Sequence, residues 1–180
     1  MRKVALTVAI AVLVFAVFFV RLHRVTRVSG RPAAAKTAPV APAAPQILLS
    51  DLTGNSFNTS SYQGKVVLVN FWAAWCTPCA AEIPQFVAMQ EKYRQQGLQI
   101  LGVSMDDADD VLRKFYREYK MNYPVVAGDQ KIADAYGGVL GLPTTFVIGR
   151  DGRVEDKIVG STDFQKLEQE VAALLGVAAR

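Results

Sequence analysis

The sequence contains few Cys and His side chains, the usual ligands of zinc, because its 180 residues include only two cysteines and one histidine. A structural zinc site usually takes four Cys or His ligands, and a chain of this composition cannot supply them. Two cysteines also form one bridge at most, so a small fold held together by several disulfides is excluded. We therefore expect no metal ion and no other cofactor.

Acidic residues are absent from residues 1–46, which contain seven of the 20 Lys and Arg residues. Residues 47–180 contain the other 13 together with all 16 Asp and Glu residues, so their net charge is −3. The overall charge of +4 therefore comes from the N-terminal segment. Nucleic acid is not expected as a partner, because binding to phosphates needs basic residues clustered on the folded part.

A long apolar run lies near the N-terminus, where residues 4–20 contain Thr7 as their only polar residue. A helix that spans a bilayer needs about 17–25 apolar residues. The run predicts a transmembrane helix over about residues 4–22, within a membrane anchor of residues 1–28. A cleaved secretory signal is the alternative, but the first small residues suited to cleavage, at 33–35, lie beyond four arginines.

The segment after the predicted anchor, residues 29–46, contains four of the eight prolines and several alanines, but few large side chains. This composition predicts an extended linker between the membrane and a domain of residues 47–180. Two features of the sequence disagree on which side of the membrane the domain lies. The arginines after the apolar run favour the cytoplasm for that flank, whereas the chemistry described below favours a domain outside the cytoplasm.

Residues 47–180 have the length of one ordinary domain and alternate strand and helix patterns. Residues 65–72 form a continuous apolar run typical of a strand buried on both faces. The predicted elements are a hairpin at 47–57, strands at 65–72, 98–104, near 125, at 144–149 and at 154–159, and helices at 77–96, 106–120, 131–136 and 164–175. This order predicts an α/β fold with a mixed central sheet and helices on both faces. The acids at 106–110 are interpreted as helix-start residues rather than a cation site.

The motif Cys76-Thr77-Pro78-Cys79 lies where the buried strand at 65–72 is followed by a predicted helix. A C-x-x-C pair in this setting is typical of a redox dithiol. The N–H groups and positive dipole of a helix start stabilise a thiolate, and the thiol pKa in such motifs falls from about 8.5 toward about 3.5–7.5. We predict that Cys76 attacks a disulfide and that Cys79 resolves the resulting mixed disulfide.

Two structural interpretations of the same motif are weaker. Half of a zinc site lacks its other ligands, since His23 lies in the predicted anchor. A purely structural bridge that closes so short a loop gives little entropic stabilisation.

The stretch VVLVNFWAAWCTPCAAEIP, followed about 65 residues after the first cysteine by GLPTTFVI, resembles the thioredoxin superfamily. Within it, the chain is most similar to the membrane-anchored TlpA/ResA-type thiol–disulfide oxidoreductases, which include the cytochrome c maturation thioredoxins. The resemblance covers residues 47–178 and the anchor plan. It implies a thioredoxin-like fold.

The resemblance also implies roles for residues outside the cysteine pair. Pro143 is expected to form a cis peptide bond that faces the cysteines and leaves the Leu142 backbone free to bind an extended client, beside Trp75. Asn70 stands where cytosolic thioredoxins have a buried aspartate. Glu82 matches a glutamate that this branch places near the site, although by itself an acid early in a helix is also ordinary dipole compensation on a solvated face. The two interpretations of Glu82 stay open.

These residues predict disulfide exchange with clients that contain cysteine pairs. The resemblance implies that the protein works as a reductant of exported proteins such as apocytochrome c or copper-centre components. The resemblance implies a membrane-bound thiol donor and a single-pass protein of the inner membrane, facing the periplasm or exterior. The sequence alone leaves the direction of exchange open. A thiol peroxidase is the alternative, but it needs Thr-x-x-Cys where this chain has Ala73-Ala74-Trp75-Cys76. A copper chaperone would want a further soft donor or a histidine near the cysteines.

Overall fold

A computed structural model of the protein describes residues 41–106 and 109–178. The predicted membrane anchor at residues 1–28 and most of the predicted linker lie outside these residues. Among the residues that are described, no helix has both the length and the apolar character needed to cross a membrane.

The described chain follows the predicted order of strands and helices. The strands are β1 (Leu48–Ser50), β2 (Ser56–Asn58), β3 (Val66–Trp72), β4 (Leu98–Ser104), β5 (Val125–Ala127), β6 (Thr144–Ile148) and β7 (Val154–Val159), and the α-helices are α1 (Thr77–Tyr93), α2 (Asp109–Glu118), α3 (Gln130–Ala135) and α4 (Phe164–Leu175). Short 3₁₀ turns occupy Thr59–Tyr62 and Arg94–Gln96. The second of these ends at Gly97, whose φ of 103° is favourable for glycine, so the predicted helix end there is confirmed.

Strands β3 to β7 form one mixed sheet in the order β5-β4-β3-β6-β7. Strand β3 pairs in parallel with β4, which pairs in parallel with β5. On its other side β3 pairs antiparallel with β6, which pairs antiparallel with β7. Strands β1 and β2 form a separate hairpin. The predicted α/β fold with a mixed central sheet is confirmed.

The central strand β3 explains why both faces of the sheet are covered. All seven of its residues are buried, as the continuous apolar run predicted. Alternate side chains of a strand point to opposite faces, and the two sets join different hydrophobic clusters. One cluster contains Val66, Leu68 and Trp72 with side chains of α1, α2 and α4, and the other contains Val67, Val69 and Phe71 with Ile47, Phe57 and Tyr136.

The helix predicted at 106–120 and the predicted linker differ from the structure. The helix predicted over residues 106–120 is shorter, because Lys120 has a left-handed φ of 51° and Asp106 lies before the helix, bonded to a neighbouring loop. The end of the predicted linker is also part of the folded unit. Ala43 forms a β-bridge with Arg153, and the N–H of Val154 donates to the carbonyl of Pro42 at 2.9 Å.

Gly128 provides a stability prediction, since it follows β5 where the chain packs closely on the end of β4. A Cβ atom here would lie 2.5 Å from Val103 Cγ1 and 3.0 Å from the Ser104 carbonyl oxygen. We expect Gly128→Ala to lower the free energy of unfolding by about 1–3 kcal/mol, because overpacking forces backbone shifts. Thermal unfolding measures this. Gly141→Ala, where a Cβ would meet nothing within 4 Å, is the matched control; equal melting temperatures for the two variants would contradict the prediction.

Candidate active site

The sheet topology brings four chain segments together at one end of the sheet. Strands β3 and β4 are parallel, so their carboxyl ends lie side by side, with Trp72 paired with Ser104. Strand β6 is antiparallel to β3, so its first residue, Thr144, lies opposite Phe71. The end of β7 joins this group through Val159, which pairs with Thr144. Both cysteines therefore lie on a loop and helix start surrounded by three other chain segments.

Cys76 and Cys79 form a disulfide with a Cα–Cα distance of 5.3 Å. Cys76 is the N-cap of α1, and its Sγ accepts a hydrogen bond from the N–H of Cys79 at 3.3 Å. Pro78 lies in the first turn, where a missing N–H leaves no bond unmade. The first turn of α1 contains no acid, so nothing within it opposes a negative charge on Cys76. The arrangement suits a thiolate at Cys76.

The two tryptophans near the site differ in solvent exposure, whereas both cysteines are buried. Cys76 is 5% exposed and Cys79 is 2% exposed, so both residues of the oxidised pair are buried. The two cysteines differ in position, since Cys76 is the N-cap of α1 and Cys79 lies within its first turn. Trp75 is 71% exposed beside Cys76, and Trp72 is 1% exposed in the core.

Glu82 is buried in the second turn of α1, so its interpretation as a solvated dipole-compensating residue is wrong. Its Oε1 accepts a hydrogen bond from the N–H of Thr162 at 2.6 Å, while Oε2 has no hydrogen-bond partner among the described residues. Burial raises the pKa of Glu82 above its usual value, and hydrogen bonding to Thr162 offsets part of this rise. Residues i and i+3 share one helix face, so this carboxyl group lies on the same face as Cys79. A catalytic role for Glu82 stays a prediction.

The peptide bond between Leu142 and Pro143 is cis, as expected from the resemblance. The Leu142 side chain packs against the cluster that contains both cysteines. The carbonyl of Pro143 accepts from the N–H of Gly160 at 2.9 Å. In contrast, the Leu142 backbone makes no hydrogen bond within the described part of the chain. Client binding at these N–H and C=O groups stays a prediction.

Asn70 lies in the centre of β3, where its Nδ2 donates to Thr145 Oγ1 at 3.0 Å. Both side chains are buried. A neutral amide satisfied by a neutral hydroxyl holds no titratable proton at this position. The site therefore has a buried ionisable side chain, Glu82, on α1, and a neutral amide, Asn70, instead of an aspartate on β3.

Asp106 is a site residue that the sequence interpretation missed, because it was grouped with the acids at the start of α2. Both of its carboxylate oxygens accept from the N–H of Ala74, at 3.0 and 2.8 Å, and its Oδ2 also accepts from the Ser104 hydroxyl at 2.7 Å. It lines a groove of about 510 Å³. The groove is lined by Ala74, Trp75, Asp106, Val111, Lys114, Phe115 and Glu118. In the sequence, the one sign of this role is Ser104 two residues before Asp106, at the end of a predicted strand, where the two side chains can bond to each other.

Comparison with known proteins gives the family of the chain. Residues 40–157 match the AhpC/TSA family. The thiol-disulfide oxidoreductase ResA of Bacillus anthracis is 35% identical over 125 residues, which are 69% of this chain and 72% of that protein. ResA of Geobacillus thermodenitrificans is 34% identical over 131 residues, which are 72% of this chain and 75% of that protein.

Solved structures with the same fold agree with the sequence relatives. A thiol:disulfide interchange protein of the thioredoxin family from Chlorobium tepidum superposes with a TM-score of 0.71. It is 30% identical, and the match covers 76% of this chain and 97% of that one.

Proposed function

Because the chain belongs to the AhpC/TSA family and is a thiol–disulfide oxidoreductase, we propose that it reduces disulfides of client proteins outside the cytoplasm. The observation that carries the proposal is the position of the cysteine pair. Cys76 caps α1 and already accepts a backbone N–H bond, so the same bond is ready to stabilise a thiolate. Cys79 lies one helical turn further, within bonding distance.

The exchange takes two steps. The Cys76 thiolate attacks one sulfur of a client disulfide, which forms a mixed disulfide and releases the other client sulfur as a thiolate. Cys79, once deprotonated, then attacks Cys76 Sγ, which forms the Cys76–Cys79 disulfide and releases the second client thiol. The client gains two electrons and the protein loses two. A thiol donor must therefore reduce the Cys76–Cys79 disulfide before the next cycle.

Client recognition is proposed to use the backbone rather than particular side chains. The free N–H and C=O groups of Leu142 suit an extended peptide that binds as a short strand, with little dependence on its sequence. Trp75, which is exposed beside Cys76, would form an apolar wall for the same peptide. This combination fits unfolded exported proteins with cysteine pairs, such as apocytochrome c or copper-centre components.

Localisation is proposed from the N-terminal sequence. The apolar run at residues 4–20 supports an anchor in the inner membrane, and the proline-rich residues after it support a tether. The domain would then face the periplasm or exterior and receive electrons from a membrane-bound thiol donor. The arginines after the run oppose this orientation, so the experiment below is designed to report the compartment as well.

A thiol peroxidase is less well supported. Ala73 occupies the position, three residues before Cys76, where that chemistry needs a threonine hydroxyl. Ala73 is fully buried in the hydrophobic cluster and offers no polar side chain to a peroxide. Disulfide exchange therefore remains the function that this site favours.

Trapping tests the proposal. In a Cys79→Ala variant the second step is blocked, so we expect mixed disulfides through Cys76 to accumulate in cells and to be identified by mass spectrometry. The matched control is the Cys76→Ala variant, which keeps one thiol but places it within the helix, and it should trap almost nothing. Clients are expected to be exported proteins with cysteine pairs.

Different outcomes would overturn different parts of the proposal. Equal trapping by the two variants would contradict the assigned roles of the cysteines. Trapping of cytoplasmic proteins alone would overturn the compartment while leaving disulfide exchange intact.

A further inference from the structure

Asp106 connects the end of strand β4 to the loop that precedes the cysteines. Its carboxylate accepts the N–H of Ala74 with both oxygens, and Ala74 is two residues before Cys76. The Ser104 hydroxyl, which is fully buried, donates to Asp106 Oδ2 and accepts from the Asp106 N–H at 3.2 Å. The carboxylate is therefore held on one side by β4 and on the other holds the cysteine loop.

We propose that Asp106 is a positioning residue for disulfide exchange, which holds the loop of residues 73–75 so that Cys76 stays at the N-cap of α1 when the disulfide is open. In the oxidised protein the bond to Cys79 fixes Cys76 directly. Reduction removes that restraint. Other contacts must then keep Cys76 at the cap position. One of them, the hydrogen bond from the Cys76 N–H to the Ala73 carbonyl at 3.1 Å, lies within the same loop.

The contact made by Asp106 differs from these local bonds because it ties the loop to the sheet. The Ala74 N–H and Asp106 are 32 residues apart, and Asp106 is itself oriented by Ser104 in the last position of β4. A second tie runs nearby from the Met105 N–H to the Trp72 carbonyl at 2.8 Å, but it holds the end of β3 rather than the loop. Among described residues, Asp106 is the one side chain bonded to the backbone of residues 73–75.

The negative charge of Asp106 and its hydrogen bond to the loop should shift the Cys76 pKa in opposite directions, so substitutions can separate an electrostatic role from a positioning role. A carboxylate near a thiol opposes its ionisation, and removing the charge alone should lower the Cys76 pKa. Loss of the tie lets Cys76 leave the helix N-terminus, which removes thiolate stabilisation and should raise that pKa. Asn keeps an oxygen for the Ala74 N–H, and its amide group can donate to Ser104 Oγ, so Asp106→Asn removes the charge and keeps the tie.

The test measures the rate of alkylation of Cys76 against pH in the reduced, full-length protein. We expect Asp106→Ala to raise the Cys76 pKa and to slow alkylation at neutral pH by about tenfold, since only the thiolate reacts and its fraction falls about tenfold for each unit by which the pKa rises above the pH. Asp106→Asn should react within about threefold of the parent and have no higher pKa. Both variants lack the negative charge, so parent-like reactivity of Asp106→Asn alone would show that the hydrogen bonds of residue 106, and not its charge, are needed.

The control is Asp51→Ala, because Asp51 also accepts backbone N–H bonds, from Thr53 and Asn55, but does so in the β1–β2 turn. It should react like the parent. Equal changes in the Asp106→Ala and Asp106→Asn variants, or an unchanged Asp106→Ala variant, would overturn the proposal. If Asp106→Ala fails to fold, Ser104→Ala is expected to raise the Cys76 pKa to a smaller extent, and an unchanged pKa there would overturn it too.

Discussion

Replacing Cys76 by Ala is expected to reduce the rate of client disulfide reduction by at least about a thousandfold, to the level of the uncatalysed reaction. Loss of the attacking nucleophile removes the first covalent step, and such losses in other enzymes are of this size or larger.

In the reduced parent we also expect Cys76 to be alkylated near neutral pH with an apparent pKa below about 8.5, because it caps α1 and accepts the Cys79 N–H. Cys79 should react slowly.

The measurement is disulfide reduction by the reduced protein, followed by mass spectrometry of the alkylated peptides. The Cys79→Ala variant is the matched control, because it should still attack a small disulfide once at close to the parent rate and then stop. Trp75 adjoins Cys76, so its fluorescence should change as the bond opens. Equal alkylation of the two cysteines would contradict the assignment of Cys76 as nucleophile.

Replacing Glu82 by Gln is expected to lower the Cys76 pKa by about 0.5–1.5 units and to slow reduction of folded clients more than that of a small disulfide. The first effect follows because a buried carboxylate near the cysteine pair opposes a second negative charge. The second follows because Glu82 lies on the face of α1 that contains Cys79 and has a free oxygen, Oε2, with which to move the Cys79 proton. Gln keeps the oxygen that accepts the Thr162 N–H and cannot transfer a proton.

Burial of Glu82 also predicts how stability depends on pH. Because its pKa is raised on folding, the folded protein binds more protons than the unfolded chain between the ordinary value, 4.5, and the raised one. Stability contributed by this group therefore falls as the pH rises through that interval. Relative to Glu82→Gln, the oxidised parent should become less stable between pH 4 and pH 7, which thermal unfolding at both pH values measures.

Titration of Cys76 and unfolding against pH together decide the role of Glu82. A Gln variant with an unchanged thiol titration but a changed pH dependence of stability would make the buried carboxyl group a structural feature only. A variant unchanged in both would show that the carboxyl group is ionised in contact with water, contrary to its burial.

The sequence by itself determined the architecture of the domain and the nature of its chemistry. The apolar run of β3 and the boundaries of α4 follow from local hydrophobic periodicity, which each segment contains whatever its neighbours are. The spacing of Cys76 and Cys79 at a helix start likewise specifies the disulfide, since both residues belong to one turn.

Only the tertiary structure decided which other side chains join the cysteines. Glu82 has the same local sequence on a solvated or a covered helix face. It is buried, and its bonding partner, the Thr162 N–H, comes from a segment 80 residues later in the chain. Asp106 resembles any helix-start acid until β3 and β4 place their carboxyl ends side by side and bring the Ala74 N–H to it. Contacts between residues far apart in the chain depend on how elements pack, and local patterns do not contain that information.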